Sequence, residues 1–299
     1  MHVIGTDHVV YRMDKANPPA LWVESGDVVV VECLDAHSGL IRTPQDTPEM
    51  LDFERINPAT GPIYVKGAEP GDSLAVRIFR IEVGEQGSAL VFPGEYGFLK
   101  DDPMEPFTKI ARVEDGQIVY RDGIHIPVRP MIGTFGVAPA GEPVSCLYPG
   151  DHGANMDIKD VCAGHIVHLP VFVPGALLAL GDAKAVIGDG ESAGAGLEID
   201  VTVTLQVEVV KGGGLPRPMI ETPTEFMTCG WGMTMEEATT LAMRDMVDFV
   251  ARKSGLPRSE AYNLVGMVGD ARPGNAVCVP GAMRFVMPKG IFVGGVKIP

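Results

Sequence analysis

The side chains best suited to chemistry fall in three turn-rich stretches. The first, LDAHSG at 34–39, sets Asp35 and His37 two positions apart just after the apolar run GDVVVVEC. In an extended chain, positions i and i+2 face the same way, so this carboxylate and imidazole are expected to converge at a strand end. The second, PGDHGANMDIKD, carries Asp151, His152, Asn155, Asp157 and Asp160; the third, GDAKAVIGDGE, carries Asp182, Lys184, Asp189 and Glu191. Hard oxygen donors joined by imidazole suit a divalent metal that activates water. The competing reading is turn chemistry, because Asp-Gly and Pro-Gly runs build turns and their aspartates commonly accept from backbone amides. The third stretch lacks the D-x-[DN]-x-[DN]-G spacing of an EF-hand loop, so that reading falls.

Other candidates are weaker. His165 and His168 in HIVHLP sit at strand positions that suit a core or an interface, and Phe92 and Tyr96 in FPGEYG read as turn packing. No Walker loop is present, and the one G-x-S-x-G match, GESAG at 190–194, runs on into a strand pattern rather than the helix of a nucleophile elbow, which argues against NTPases and serine hydrolases. The five cysteines, at 33, 146, 162, 229 and 278, form no C-x-x-C pair. They read as inert reduced thiols, and neither Cys162 nor Cys229 has an obvious histidine partner.

These groups need a frame, and strands dominate it. Gly 37, Pro 25 and an aromatic content of 6% suit a β-rich chain with many turns. DVVVVEC reads as a strand buried on both faces. DSLAVRIFRIEV alternates, with Leu74, Val76, Ile78 and Arg80 on one face. LEIDVTVTLQVEVV alternates more cleanly: Ile199, Val201, Val203, Leu205, Val207 and Val209 share one face, with Glu198, Asp200, Thr202, Thr204, Gln206 and Glu208 opposite. One helix is plain in TMEEATTLAMRDMVDFVARKSG, from a Thr234–Glu237 capping box to Gly255. A second, shorter helix is expected from Ser259. The chain therefore divides into a β-rich region, 1–210, that could hold two packed subdomains, and an α/β region, 211–299, entered through KGGGLPRP.

A net charge of −15 and a pI near 4.8 exclude the basic footprint that nucleic acid requires. No run is long enough to cross a bilayer, and MHVIGTDHVVYRMDKANPPA has no basic n-region or apolar h-region. A cytoplasmic protein is the expectation.

Taken together, LDAHSG, INPATGPIYVKGAEPGDSLAV, MIGTFGVAPAGE, PGDHGANMDIKD, LPVFVPGALLALGDA, GDGE, SEAYNLV and MPKG resemble the acetamidase/formamidase family, in the family's order and over nearly the whole chain. The resemblance implies a mainly β fold with an α/β C-terminal part: a β-sandwich or jelly-roll-like core, a further β subdomain and a small α/β region. It also implies hydrolysis of short aliphatic amides to carboxylate and ammonia, and a homodimer or larger homo-oligomer. Carried onto this chain, it assigns Asp35, His37, Asp157 and Glu191 to a metal site holding zinc or a harder ion such as calcium. Catalytic duty falls to Glu142, His152, Asp157, Lys184 and Glu191, with Glu142 or Glu191 as base, and Asn155 contacts the substrate. One departure stands out. Lys184 occupies a position where the family pattern has histidine, and Ile187 replaces a polar or sulfur-bearing residue. Imidazole binds metals, whereas an ammonium repels them. Either a ligand has been lost or Lys184 has taken over part of its electrostatic role. The alternative to hydrolysis is a non-catalytic relative that binds an amide or a metal; a third reading keeps hydrolysis but on a larger amide.

Overall fold

Side-chain parity decides the layers. In the strand Val201–Val210, Val201, Val203, Leu205 and Val207 are buried, while the intervening threonines and Gln206 stay partly exposed. This strand belongs to a nine-stranded sheet, ordered His2–Ile4, Val28–Cys33, Val201–Val210, Ser73–Val83, Ile166–Pro170, Met219–Glu221, Glu225–Gly232, Gly281–Pro288 and Asp270–Pro273. A twelve-stranded sheet packs on it, with Gln86–Val91, Leu197–Glu198, Leu178–Val186, Met131–Gly136 and Gly153–Asn155 adjacent in that order. Their inward faces share one apolar core, with Val31, Val76 and Val203 from the first sheet and Ile132, Phe135 and Leu180 from the second. The chain is thus mainly β with helices near its C-terminus, as expected. This computed structural model describes residues 1–293, and positions 294–299 of the expected α/β region lie outside the described residues.

Three strands depart from their expected pattern, each for a local reason. Val28–Cys33 alternates, with Val29, Val31 and Cys33 buried and Glu32 exposed, so its apolar run covers only one fully buried face. In Ser73–Val83 the parity flips after Ile78: Arg80 pairs with Thr204 and Ile78 with Leu205, leaving Phe79 as the extra residue of a bulge. The bulge returns Ile81 to the core and leaves Phe79 47% exposed. LEIDVTVTLQVEVV is two strands. Leu197–Glu198 pairs in the twelve-stranded sheet and Val201–Val210 in the other, so parity restarts across Ile199 and Asp200.

The expected boundary at 210/211 does not interrupt the sheet, because Met219–Glu221 pairs with Ile166–Pro170. Beyond it, α1 (Met235–Ser254) and α2 (Arg258–Val268) close a second apolar cluster that includes Phe226, Met246, Phe249 and Phe285. α1 starts at the Thr234–Glu237 capping box and stops at Gly255, whose φ of 72° suits a residue without Cβ. Such a cap contributes about 1 kcal/mol. Among the described residues, no helix is long and apolar enough to cross a membrane.

Candidate active site

The strand Leu178–Val186 places Asp182 and Lys184 two positions apart on one face, and Glu198 lies directly across the ladder from Lys184. Asp157 follows the short strand Gly153–Asn155, and Glu191 sits in the turn after Leu178–Val186. All four carboxylates converge on one ammonium. Lys184 Nζ lies 2.8 Å from Asp157 Oδ1, 2.6 Å from Asp182 Oδ1, 3.6 Å from Glu191 Oε1 and 3.5 Å from Glu198 Oε2. Lys184 is only 2% exposed.

One positive charge cannot balance four negative ones, so protons must supply the difference. Burial raises Asp182 above the usual carboxylate range and Glu191 well above it, and pushes Glu198 up to about 7, with Lys184 opposing each shift. The carboxylates in turn hold Lys184 well above the ordinary lysine value, overcoming its own desolvation. The site therefore keeps its ammonium, together with at least one carboxyl that exchanges a proton near neutrality.

The backbone is bent to make this cluster. Asn57, Asp157, Asp182 and Glu191 all have left-handed backbone, with φ of 53°, 44°, 55° and 47°. Each such residue costs on the order of 1–3 kcal/mol, and such strain gathers at working sites. Gly133 is required beneath the cluster, because a Cβ there would press into Asp157, Asp182 and Lys184.

Amide side chains fix the carboxylates. Asn275 donates to Asp157 Oδ2 at 2.7 Å, and Asn57 donates to Asn155 Oδ1 and Asp182 Oδ2 at 3.1 and 3.2 Å. His37 contacts Ser88 Oγ through Nδ1 at 3.1 Å. Burial and then Lys184 depress its pKa to about 3, so it works as a neutral imidazole. These groups floor a narrow cleft of about 70 Å³, with Leu51, Phe53, Phe92, Tyr96 and Val277 among its apolar walls and Cys278 beside them. Phe92 and Tyr96 meet edge to face at 5.9 Å and so do more than pack a turn.

The structure brings His37, Asn155, Asp157, Lys184 and Glu191 together, but not Asp35, His152 or Glu142. Positions 36–39 form a turn rather than a strand, so the i, i+2 rule does not apply. Asp35 turns away: its Oδ1 accepts from Gly39 N at 2.9 Å, and Arg42 lies 3.9 Å from Oδ2. His152 is buried outside the cleft with its Nε2 unpartnered among the described residues, and Glu142 is exposed. Asp35→Ala should therefore cost stability, about 1–3 kcal/mol for a lost buried acceptor. Turnover per folded molecule should fall far less. Thermal unfolding alongside activity per folded protein checks this; a stable but inactive D35A protein would return Asp35 to the chemistry.

Sequence reasoning assigned no role to Glu198, Asn57, Asn275 or Asp182. Asp182 carried a signal, standing two residues from Lys184, and Asn57 lies within INPATGP. Glu198 was hidden by the sheet switch, and nothing in RPGNAVC marks Asn275.

A metal at this centre does not fit these residues. The carboxylates that would ligate it already surround a fixed ammonium, and Asp35 is committed elsewhere. Among the described residues, no three His, Cys, Asp or Glu side chains are arranged to hold an ion.

Comparison with known proteins gives this geometry a context. The chain superposes on an acetamidase of Bacillus halodurans with a TM-score of 0.94 and 40% identity, covering 97% of this chain and 98% of that one. A protein of Thermoanaerobacter tengcongensis described as a predicted acetamidase/formamidase gives 0.93 and 37%, covering 97% and 96%. A formamidase of Methylophilus methylotrophus is 27% identical over 74% of this chain and 71% of its own length. The chain spans 57% to 71% of the length of the curated relatives it matches. The Acetamidase/Formamidase family model matches residues 5–145 and 142–293, and the chain belongs to that family.

Proposed function

We propose that this chain hydrolyses a small, uncharged linear amide to its carboxylate and ammonia. The observation that carries the reading is the buried ammonium of Lys184 held among four carboxylates at the floor of a narrow cleft. A cleft of about 70 Å³ suits a ligand of few heavy atoms, given that cavities of about 150 Å³ hold benzene.

In this reading Glu198 is the general base. Its Oε2 is buried and has no hydrogen-bond partner among the described residues, so it is free to take a proton from attacking water. The water oxygen bonds to the carbonyl carbon, and the developing oxyanion is steadied by Lys184 and by the neutral amide and imidazole donors around it. Glu191, held protonated by burial, gives its proton to the departing nitrogen as the C–N bond breaks. A proton then passes from Glu198 to Glu191 to restore both. Lys184 supplies the positive charge that the family resemblance assigns to a metal, and no step needs one. Glu198 and Glu191 thus replace Glu142 as the acid–base pair.

Free cysteines suit the cytoplasm. The exposed Phe98, Leu99 and Phe107 favour a homo-oligomer, which sedimentation would test. The direct test of function is ammonia release from formamide, acetamide and propionamide. We expect turnover on at least one. A folded protein that binds these amides without releasing ammonia would instead be the non-catalytic relative.

A further inference from the structure

Arg284 lies in the strand Gly281–Pro288, 0% exposed, and the proposed chemistry does not use it. Its Nη2 donates to Asp189 Oδ1 at 2.8 Å and lies 3.0 Å from Asp160 Oδ2, while Nη1 donates to the Pro273 carbonyl. Those two aspartates occupy revealing places. Asp160 is three residues after Asp157, and Asp189 is two residues before Glu191. We propose that Arg284 is a positioning residue for the active site: a single guanidinium binds both loops and so sets where Asp157 and Glu191 stand about Lys184.

The surrounding bonds give the guanidinium this leverage. Lys159 holds the other oxygen of Asp189 at 2.8 Å. Ala276 N donates to Gly190 O at 3.2 Å, and Asn275 N donates to Met156 O at 2.9 Å. Asn275, which grips Asp157, therefore hangs from the same two loops. Both loops carry left-handed residues at the working position, Asp157 and Glu191, which relax unless their surroundings hold them. A buried guanidinium between two carboxylates is strongly directional, and a lysine reaches only part of that pattern. The nine-stranded sheet thereby helps to set the geometry of a site floored by the other sheet.

The kinetic readout rests on the hydrolysis reading, so a second readout is independent of it. In Arg284→Met we expect kcat to fall about 10²-fold, the scale of a 1 Å misplacement, with KM changed far less. R284K should recover part of kcat. Cys278 lines the cleft, and its backbone amide donates to Asn275 Oδ1 at 3.0 Å. Its labelling by iodoacetamide, followed by peptide mass, should speed up severalfold in R284M. A folded R284M with wild-type kcat, KM and labelling overturns the proposal. If R284M does not fold, Asp189→Asn takes its place; it should lower kcat and speed labelling in the same sense, and wild-type values for both overturn the proposal. If the wild-type protein hydrolyses no amide, the hydrolysis reading fails alone, and labelling still decides the role of Arg284.

Discussion

Replacing Lys184 with methionine should abolish turnover and destabilise the protein by about 3–5 kcal/mol, the cost of stripping a buried charge of its partner. The methionine chain fills much of the space but leaves Asp157, Asp182, Glu191 and Glu198 facing one another without a cation. The sign of the pH dependence follows. Without the ammonium, which opposes the upward shift of each, Asp182, Glu191 and Glu198 hold their protons to still higher pH in the fold than when unfolded. The native state of K184M therefore binds the more protons, and its stability falls as pH rises. Chemical denaturation between pH 5 and 9 should show the deficit widening with pH. A K184M protein as stable as wild type at pH 9 would mean that the lysine is not what holds the cluster.

Lys184→His separates the two accounts of this position. Imidazole restores a ligand among the same carboxylates, and zinc uptake should rise above wild type, read as bound metal per chain and as a zinc-dependent increase in Tm. Turnover should fall all the same, because the ammonium is the proposed electrostatic catalyst; a K184H protein that gains zinc and turnover together would make Lys184 a lost ligand instead.

How much of this was legible without coordinates depends on how far each residue sits from its partners. The α1 helix was readable because caps and apolar spacing are local, and the site loops were readable as clusters for the same reason. Asp157, Lys184 and Glu191 stood out by type. Which of them would meet was another matter, since Lys184 and Asp157 are 27 positions apart. Asp35 misled because a turn at 36–39 ended the strand before the parity rule could act. Glu198 was concealed by a regular polar/apolar alternation that runs unbroken through a change of sheet, and Asn275 and Arg284 come from the far end of the chain. Long-range partners leave no periodic trace. The cysteines repeat the lesson: Cys162 has His165 within 3.4 Å, but Asp160 O, 2.8 Å away, already engages the same ring nitrogen. Cys278, unremarkable in sequence, lines the cleft.

Glu198→Gln should lower kcat by about 10²–10⁴-fold, the usual range for losing a general base, and should remove the acidic limb of the pH–rate profile. In the wild type, burial first, then Asp157 and Asp35, lift Glu198 from 4.5 to about 7 against the pull of Lys184 and of the Gly196 amide, which donates to Oε1 at 3.0 Å. A base must be ionised to act, so kcat/KM should climb with pH and level off above about 7. At higher pH the activity should fall again once Glu191, held well above the ordinary range, loses the proton it donates. The two limbs belong to a coupled cluster, so they report the pair rather than isolated side chains. The same shift predicts stability. A carboxyl whose folded pKa exceeds its unfolded one contributes fully below pH 4.5 and loses that contribution as pH rises through about 7. Glutamine carries no such charge, so E198Q should gain on wild type in denaturant midpoint between pH 5 and pH 9. An E198Q protein that keeps both its turnover and an acidic limb near 7 would place the base elsewhere in the cluster, with Glu191 the next to substitute.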